Sequence, residues 1–288
     1  MRTTVTGGTE ERRPAHPSRR AGLRRRIVIA LCLLLAGTLA ATGTAGYLTF
    51  VRPPANPPAD ACADGPRPGG RPVVVAAGAS MTQGTLGADW VGDLRDRAAH
   101  RAFEFVNAGK NGDTSADLLQ RLDRDVVACR PTAVTVLIGA NDVRDGVPLQ
   151  RYRDNLTAIV GRLKARTSAR VALVSLPPIG EEIGSDLNRK AAGYNAAVRE
   201  TAERAGADYV PLNERMTDHL RRRGGEAAPY GFGFTLAFLA GARHYLLGHS
   251  WDEVARGNGL ELLVDHLHLS DRGGAMVADL VSEWLSRR

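Results

Sequence analysis

A serine, a histidine and an aspartate in this sequence have the types and the spacing that acyl transfer requires. Ser80 lies in the segment GASMT, and Asp265 and His268 lie in the segment DHLHLS near the end of the chain. A serine hydroxyl attacks well only when a base accepts its proton, and an imidazole suits that task near neutral pH. We therefore predict Ser80 as the nucleophile and His268 as the base, with Asp265 orienting the ring and stabilising its charged form. His266, at a different spacing from Asp265, is the less favoured base.

The oxyanion that forms during such an attack needs hydrogen-bond donors that are already in place. The backbone N–H groups of Ser80 and Gly112 and the side-chain amide of Asn141 are the candidates. Gly112 lies in the segment NAGKNGDTS, and Asn141 lies in GAND. Each residue alone also fits a local role, such as a helix cap or a tight turn. The prediction therefore depends on their joint occurrence.

The elements that would position these residues are five apolar runs that alternate with amphipathic stretches. Unbroken apolar runs with helices between them are typical of a parallel sheet covered on both faces. Ligands of such sheets bind beyond the carboxyl ends of the strands, and the first three runs lead directly into the polar segments. The pattern predicts a three-layer α/β/α sandwich with a five-stranded parallel sheet. The predicted strands are 73–77, 103–108, 133–138, 170–176 and 207–212, and the predicted helices lie near 89–101, 115–128, 149–166, 187–205 and 272–286.

The polar segments together resemble the SGNH hydrolase superfamily, also called GDSL-type esterases and lipases. That family is named for Ser, Gly, Asn and His in four blocks, which are similar here to the blocks of Ser80, Gly112, Asn141 and His268, in the same order. The resemblance runs from residue 73 to about residue 284. The first block reads Gly-Ala-Ser where the family name has Gly-Asp-Ser, so the nucleophile is kept. The resemblance implies a flavodoxin-like fold and a serine ester hydrolase.

Most of the formal net charge of +7 lies in residues 1–26, which contain eight arginines and two glutamates. The remainder of the chain therefore lacks the basic excess of a nucleic-acid-binding domain.

The N-terminal segment also predicts export of the rest of the chain. Residues 27–51 carry no charge and would span roughly 37 Å as a helix, enough for a hydrocarbon core of about 30 Å. The arginines then place the N-terminus in the cytoplasm. A signal peptide cleaved after residues 41–45, which has partial twin-arginine character, is the alternative.

The segment that follows the apolar run is rich in Pro and Gly. We expect residues 52–72 to form an extended tether and residues 73–288 to form the hydrolase domain. Cys62 and Cys129 are both exported in this interpretation, and exported thiols tend to pair. Both lie near the amino-terminal edge of the predicted sheet. We therefore predict a disulfide that fastens the tether to the domain.

Residues 213–262 form a longer connection than compact domains usually contain. Six of the fifteen aromatic residues of the chain lie in its central part. Two interpretations stay open. The aromatic rings either form a small satellite core or form a lid in which Phe232 and Phe234 contact an acyl group.

We therefore predict a membrane-anchored, extracytoplasmic serine esterase that acts on carboxylic esters of lipids or of acylated envelope glycans. A thioesterase or acyltransferase on the same site and a non-catalytic binding module are the alternatives. No metal, organic cofactor or nucleic acid is expected. We interpret His244, His249 and Asp252 as surface or capping residues in preference to a metal cluster.

Overall fold

The computed structural model describes residues 19–63, 70–224 and 227–287 of the chain. Within these ranges it contains twelve α-helices and five β-strands. The helices are α1 (Arg19–Gly46), α2 (Pro58–Ala61), α3 (Ser80–Gln83), α4 (Trp90–Asp96), α5 (Ser115–Asp125), α6 (Ala140–Asp145), α7 (Leu149–Arg166), α8 (Asp186–Ala205), α9 (Leu212–Arg223), α10 (Phe234–Leu247), α11 (Trp251–Gly257) and α12 (Asp271–Ser286). The strands are β1 (Val73–Gly78), β2 (Glu104–Gly109), β3 (Ala133–Leu137), β4 (Arg170–Val174) and β5 (Asp208–Val210).

The five strands form one parallel sheet in the order β2-β1-β3-β4-β5. Helices α5, α7 and α8 cover one face, and α4, α9 and α12 cover the other. Strand β1 reads VVVAAG and β3 reads AVTVL, with every residue of β3 buried. Since helices cover both faces, the strands carry continuous apolar runs in place of alternating ones. The predicted three-layer sandwich with a five-stranded parallel sheet is confirmed.

The strand order places the three polar segments at one edge of the sheet. From β1 in the interior the chain moves outward to β2, and it then returns past β1 to β3. The loops after β1 and β3 therefore leave in opposite directions and open a crevice between these two strands. Open α/β sheets bind their ligands in such a crevice. The segments of Ser80, Gly112 and Asn141 follow the carboxyl ends of β1, β2 and β3 and border this crevice.

At two glycines beside the Ser80 segment, neighbouring backbones come too close for any side chain to fit. A Cβ atom on Gly109 would lie 2.1 Å from the backbone nitrogen of Gln83, and one on Gly78 would lie 2.5 Å from the carbonyl oxygen of Leu137. Only glycine fits at either position. These two residues therefore let the short helix α3, which begins at Ser80, sit directly on the ends of β2 and β3.

Helix α4 is shorter than the predicted helix over 89–101. It ends at Asp96 because Arg97 adopts an extended backbone, and a 3₁₀ turn at Ala98–His100 follows. Residues 93–103, around this end, contain no Gly or Pro that would mark it. The difference therefore arises from local backbone geometry.

The first part of the predicted connection over 213–262 belongs to the sandwich. Helix α9 packs against α12, and its residues Leu212, Met216 and Leu220 are buried. A spacing of four residues places them on one helix face. The segment that stands apart from the sandwich therefore begins after Arg223.

The apolar N-terminal segment forms a helix that continues into a π-helical turn at Tyr47–Val51. Among the described residues, one helix is long and apolar enough to cross a membrane, over Gly22–Val51. By its contacts the chain divides after Gly43, and one compact unit begins at Thr44. This compact unit therefore includes residues that precede the predicted boundary near residue 72. Residues 1–18 of the predicted cytoplasmic tail lie outside the described residues.

The described part of the predicted tether packs on the domain and is not extended into solvent. Asn56 donates from Nδ2 to the carbonyl of Phe105 (2.6 Å), and its own carbonyl accepts the N–H of Asn107 (3.1 Å). These bonds cover the free edge of β2, which would otherwise expose unpaired backbone groups. Residues 64–69 lie outside the described residues.

Cys62 and Cys129 form a disulfide, with their Cα atoms 4.9 Å apart. Cys62 follows α2, and Cys129 ends a 3₁₀ turn before β3. The bond therefore lies at the amino-terminal edge of the sheet, opposite the edge that carries Ser80.

Replacing both Cys62 and Cys129 with alanine should lower the free energy of unfolding by about 2–4 kcal/mol, since the bond closes a loop in the unfolded chain. Denaturant unfolding of the full chain in detergent measures this loss. The predicted ester hydrolysis should proceed at an unchanged rate under native conditions, because the bond is remote from Ser80. The matched control is Cys32→Ala, which removes the one free cysteine among the described residues. Equal stability of the double variant and the control would contradict the prediction.

Candidate active site

Ser80 is the first residue of α3, immediately beyond the carboxyl end of β1. It is buried, and its Oγ lies 2.9 Å from Nε2 of His268. Ser80 begins the single helical turn of α3, which ends at Gly84 in the left-handed conformation. The change from strand to helix at this point places the hydroxyl of Ser80 at the crevice between β1 and β3.

His268 is held on its other side by Asp265. Nδ1 of His268 lies 2.7 Å from Oδ2 of Asp265, and Oδ1 of Asp265 accepts the N–H groups of Leu267 (3.1 Å) and His268 (2.8 Å). Since a carboxylate only accepts hydrogen bonds, the ring proton lies on Nδ1. The lone pair of Nε2 therefore faces the hydroxyl of Ser80.

The Asp265 carboxyl is fully buried, yet its pKa lies below the ordinary value of 3.8. Burial by itself raises the pKa, but the electrostatic attraction of the His268 ring and the hydrogen bonds from His268 and Leu267 outweigh it. Asp265 is thus an anion at neutral pH. The ionised Asp265 stabilises the folded state at any pH above its ordinary pKa of 3.8. This stabilisation is lost as the pH falls through the lowered pKa of the folded state.

The loop that carries these two residues is held by a carboxylate that sequence analysis did not single out. Glu181 is buried in the loop after β4, and its Oε1 accepts the N–H groups of Glu261 (2.8 Å), Leu262 (2.6 Å) and Leu263 (3.0 Å). Three charge-assisted bonds to consecutive amides leave the loop little freedom. The sequence signal that could have identified Glu181 is its place beyond the carboxyl end of a strand, which the segments of Ser80, Gly112 and Asn141 share.

Glu181→Gln should lower kcat about 10- to 100-fold with little change in KM, because a displaced Asp265–His268 loop loses its alignment with Ser80. A glutamine has one acceptor oxygen, and its amino group opposes the backbone donors. Steady-state kinetics on a soluble ester measures the effect, and a thermal melt reports any loss of folded protein. Glu182→Gln is the matched control, since Glu182 is exposed. Equal rates for the two variants would exclude a positioning role.

Gly112 and Asn141, the two predicted oxyanion donors besides Ser80, border the cavity into which Ser80 opens. Gly112 has a φ of 81°, a conformation that glycine adopts freely. Asn141 is buried in the first turn of α6, and its Nδ2 donates to the carbonyl of Asp113 (2.8 Å). The bond to Asp113 uses one of the two hydrogens on Asn141 Nδ2, so the second hydrogen is not used by that bond and could serve as a donor. Ser80, Gly112, Asn141 and His268 line the same cavity.

His266 is adjacent to the site in sequence but turns away from it. Its backbone has a φ of 70°, and its ring packs edge-on against Tyr230 with the ring centres 5.8 Å apart. Burial lowers the pKa of His266, so the ring is neutral at pH 7. The structure therefore brings His268, and not His266, to Ser80.

The cavity at Ser80 has a volume of about 90 Å³ and apolar walls. Phe232 and Phe234, the two predicted substrate contacts, both line it, and the ring of Phe232 lies 6.0 Å from that of His268. Arg144 also borders the cavity, with its guanidinium 5.7 Å from the centre of the Phe232 ring. A larger surface depression of about 750 Å³ beside β5 and α12 contains none of these residues, so it has no nucleophile.

Phe50, which the sequence analysis assigned to the membrane span, forms another wall of this cavity. Its segment is hydrogen-bonded to the loops of the site. The carbonyl of Phe50 accepts a bond from Asn111 Nδ2 (3.1 Å), and the carbonyl of Arg52 accepts one from Gln83 Nε2 (2.8 Å). The chain just after the apolar helix is therefore a component of the site.

The structure gives His244, one of the three residues considered as a metal cluster with His249 and Asp252, two local partners. The ring of His244 stacks on Trp251 with centres 4.0 Å apart, and its Nδ1 lies 2.7 Å from the carbonyl oxygen of His249. Within the ranges that the structure describes, no three His, Cys, Asp or Glu side chains converge as metal ligands would.

Comparison with known proteins places this site in a family. The model of the GDSL-like lipase/acylhydrolase family matches residues 76–276. Esterase TesA of Pseudomonas aeruginosa is 32% identical over 113 residues, which cover 38% of this chain and 53% of that protein. An acetylxylan esterase of Geobacillus stearothermophilus is 26% identical over 152 residues, which cover 48% of this chain and 69% of that protein. The chain thus spans about half the length of the first of these relatives.

Solved structures share the fold. The acetyl xylan esterase AlAXEase superimposes with a TM-score of 0.57 at 18% identity, covering 75% of this chain and all of that one. The acetylxylan esterase Axe2 of Geobacillus stearothermophilus gives 0.55 at 20% identity, covering 76% of this chain and 96% of that one. The predicted resemblance to the SGNH hydrolases is confirmed, because the family match spans the segments of Ser80, Gly112, Asn141 and His268. The chain belongs to the GDSL-like lipase/acylhydrolase family and is an enzyme that hydrolyses ester bonds.

Proposed function

We propose that this enzyme removes short acyl groups from carboxylic esters, with Ser80 as nucleophile, His268 as base and Asp265 as its partner. The observation that carries the proposal is the unbroken line of contacts from Asp265 Oδ2 to His268 Nδ1 (2.7 Å) and from His268 Nε2 to Ser80 Oγ (2.9 Å). This line ends at an apolar cavity that an acyl group can enter.

The proposed reaction has two halves. Nε2 of His268 takes the proton of Ser80 as Oγ attacks the ester carbonyl, and the N–H groups of Ser80, Gly112 and Asn141 stabilise the oxyanion. His268 then gives its proton to the leaving alcohol oxygen, which leaves an acyl group on Ser80. Water, deprotonated by His268, attacks the acyl-enzyme, and His268 returns that proton to Ser80 Oγ as the acid leaves.

The size of the cavity supports a short acyl group. Its volume of about 90 Å³ is small beside the roughly 300–1,000 Å³ of pockets that hold drug-sized ligands, and an acetyl group has only three heavy atoms. The names of the acetylxylan esterases that this chain resembles agree with acetyl as the acyl group. We take an acetylated saccharide outside the cytoplasmic membrane as the substrate class.

We place the enzyme at the outer face of the membrane, anchored by the apolar helix. The single candidate span over Gly22–Val51 and the arginines that precede it support this topology. Cleavage of the same segment as a signal peptide would instead release the domain. Fractionation of cells that express the full chain with a C-terminal tag separates the two, because an anchored enzyme stays with the membranes at full length.

The test of the reaction uses a fluorophosphonate probe and a series of p-nitrophenyl esters. We expect covalent labelling of Ser80 and a fall in kcat/KM from acetyl to octanoyl. Phe232→Ala should raise the octanoyl-to-acetyl ratio, because the missing ring enlarges the cavity. This is the reverse of the effect expected if the rings only contact a long chain. Phe103→Ala, a ring removed far from the cavity, is the control and should leave the ratio unchanged. No labelling, or transfer to an added sugar without hydrolysis, would contradict the proposal.

A further inference from the structure

Helix α10 is mostly apolar although it lies at the surface, and its two basic residues are engaged elsewhere, since Arg243 donates to Asn258 Oδ1 (3.0 Å) and His244 stacks on Trp251. Its buried face consists of small residues, among them Ala237, Ala240 and Gly241. Leu239 and Leu246, seven residues apart and hence on one face, point away from the domain and are 49% and 42% exposed. A helix whose outer face is apolar as well as its buried face is expected in a protein interior or in a membrane. The outer face of α10 therefore requires a covering that the folded domain does not supply.

The exposed apolar residues of the compact unit are confined to one region. Among its described residues, the large apolar side chains that are exposed all lie on the π-helical turn Tyr47–Val51 or on α10. We call this set the apolar patch; it consists of Tyr47, Val51, Phe234, Leu239, Leu246 and Leu247. Isolated exposed leucines are common, but clustering of all of them on two elements marks an interaction surface.

The two elements of the apolar patch pack against each other. Thr49 is buried at Gly241 of α10, where a Cβ would lie 2.0 Å from the Thr49 hydroxyl. Arg52 donates to the hydroxyl of Tyr245 on α10 (3.0 Å), and Tyr245 donates to the carbonyl of Thr85 (2.6 Å). The turn and α10 therefore form one continuous surface.

This surface continues directly into the candidate membrane span. The span ends at Val51, whereas the compact unit already begins at Thr44. In sequence, α1 ends at Gly46 and the π-helical turn of the apolar patch follows at Tyr47, so the apolar run leads into the apolar patch without a break. A lipid bilayer is the occupant that this continuity favours over a second copy of the chain.

We propose that α10 lies in the interface of the bilayer, parallel to its surface, with the outer face of the helix buried about 5–10 Å deep. The proposal rests on the anchored topology proposed above. Because Phe234 and Ala237 of α10 line the cavity at Ser80, the cavity then opens at the level of the lipid headgroups. Its substrates are accordingly short acyl esters carried by molecules of the membrane surface.

The test measures the depth of single labelled cysteines in the full chain, reconstituted in phosphatidylcholine nanodiscs. Native Cys32 lies in the middle of the apolar helix and is the one free cysteine among the described residues, so a fluorophore on it reports insertion of the anchor. Leu239→Cys and Leu246→Cys, each in a Cys32→Ala background, report on α10. Ala158→Cys, exposed on α7, is the control. Lipids with a nitroxide near the headgroup or deep in the acyl chain quench the fluorophore by contact.

We expect the label at Cys32 to be quenched most by the deep nitroxide. The labels at 239 and 246 should lose fluorescence most with the shallow nitroxide, whereas the label at 158 should be quenched only by aqueous iodide. Quenching at Cys32 together with iodide access at 239 and 246 would overturn the proposal for α10 while the anchor stands. Absence of lipid quenching at Cys32 would overturn the anchor, and α10 docking with it. Protection of 239 and 246 only in discs that hold two copies would show that a second copy covers the apolar patch, which also overturns the proposal.

Discussion

Ser80→Ala should lower kcat for ester hydrolysis roughly 10⁴- to 10⁶-fold, the largest effect that we expect from any single substitution. The loss follows from the removal of the atom that attacks the ester carbonyl, which no neighbouring group replaces. The fold should be unaffected, because the hydroxyl contacts only His268 Nε2 in the structure. Hydrolysis of p-nitrophenyl acetate and a thermal melt of the same preparation measure both quantities.

The control for this prediction is Ser286→Ala. Its hydroxyl donates to the carbonyl of Ser282 on the last turn of α12, far from the cavity. This variant should hydrolyse the ester and react with the fluorophosphonate probe as the unmodified enzyme does. Turnover by pure Ser80→Ala protein at a rate near that of the control would refute the mechanism.

His268→Ala should reduce kcat about as much as Ser80→Ala, and the double variant should be no worse than either single one, since the two residues act as a unit. Asp265→Asn should cost about 10⁴-fold by a different route. The asparagine amino group would donate to Nδ1 of His268 and thereby place the ring proton on Nε2. A protonated Nε2 cannot accept the proton of Ser80. Steady-state kinetics of the four variants on one soluble ester checks these values.

His266→Asn is the matched control for these substitutions. Asparagine tolerates the left-handed backbone that His266 adopts at a φ of 70°, so the loop should keep its shape. We expect a change in kcat of less than about tenfold, since the ring of His266 faces Tyr230. An inactive His266→Asn beside an active His268→Ala would reverse the assignment of the base.

The sequence alone was sufficient for the fold and for the residues at the strand ends. Continuous runs such as VVVAA and AVTVL identify buried parallel strands, because each run is a local property of a few neighbouring residues. The positions of Ser80, Gly112 and Asn141 at successive strand ends then follow from topology. Asp265 and His268 are three residues apart, so one loop can join them without any remote contact.

The end of α4 and the start of the compact unit could not be predicted from the sequence. The stop of α4 at Asp96 depends on the backbone of a single residue, and the start of the compact unit at Thr44 depends on burial of Thr49 against Gly241. An apolar run that ends in YLTFV looks the same whether its last turn lies in lipid or packs on a domain. The composition of the sequence therefore could not locate the boundary between the candidate membrane span and the hydrolase domain.

The tertiary structure alone decided which remote residues complete the site. Glu181 meets the backbone of Glu261 across 80 positions of sequence, and Phe50 meets Asn111 across 61. Glutamate and phenylalanine are common residues that carry no local signature of such roles. Their partners are selected by how whole segments pack after the sheet has formed, and the same packing sets the acyl cavity of about 90 Å³. The reaction could therefore be inferred from short motifs, whereas the walls that select its substrate depend on contacts between segments that only the folded chain brings together.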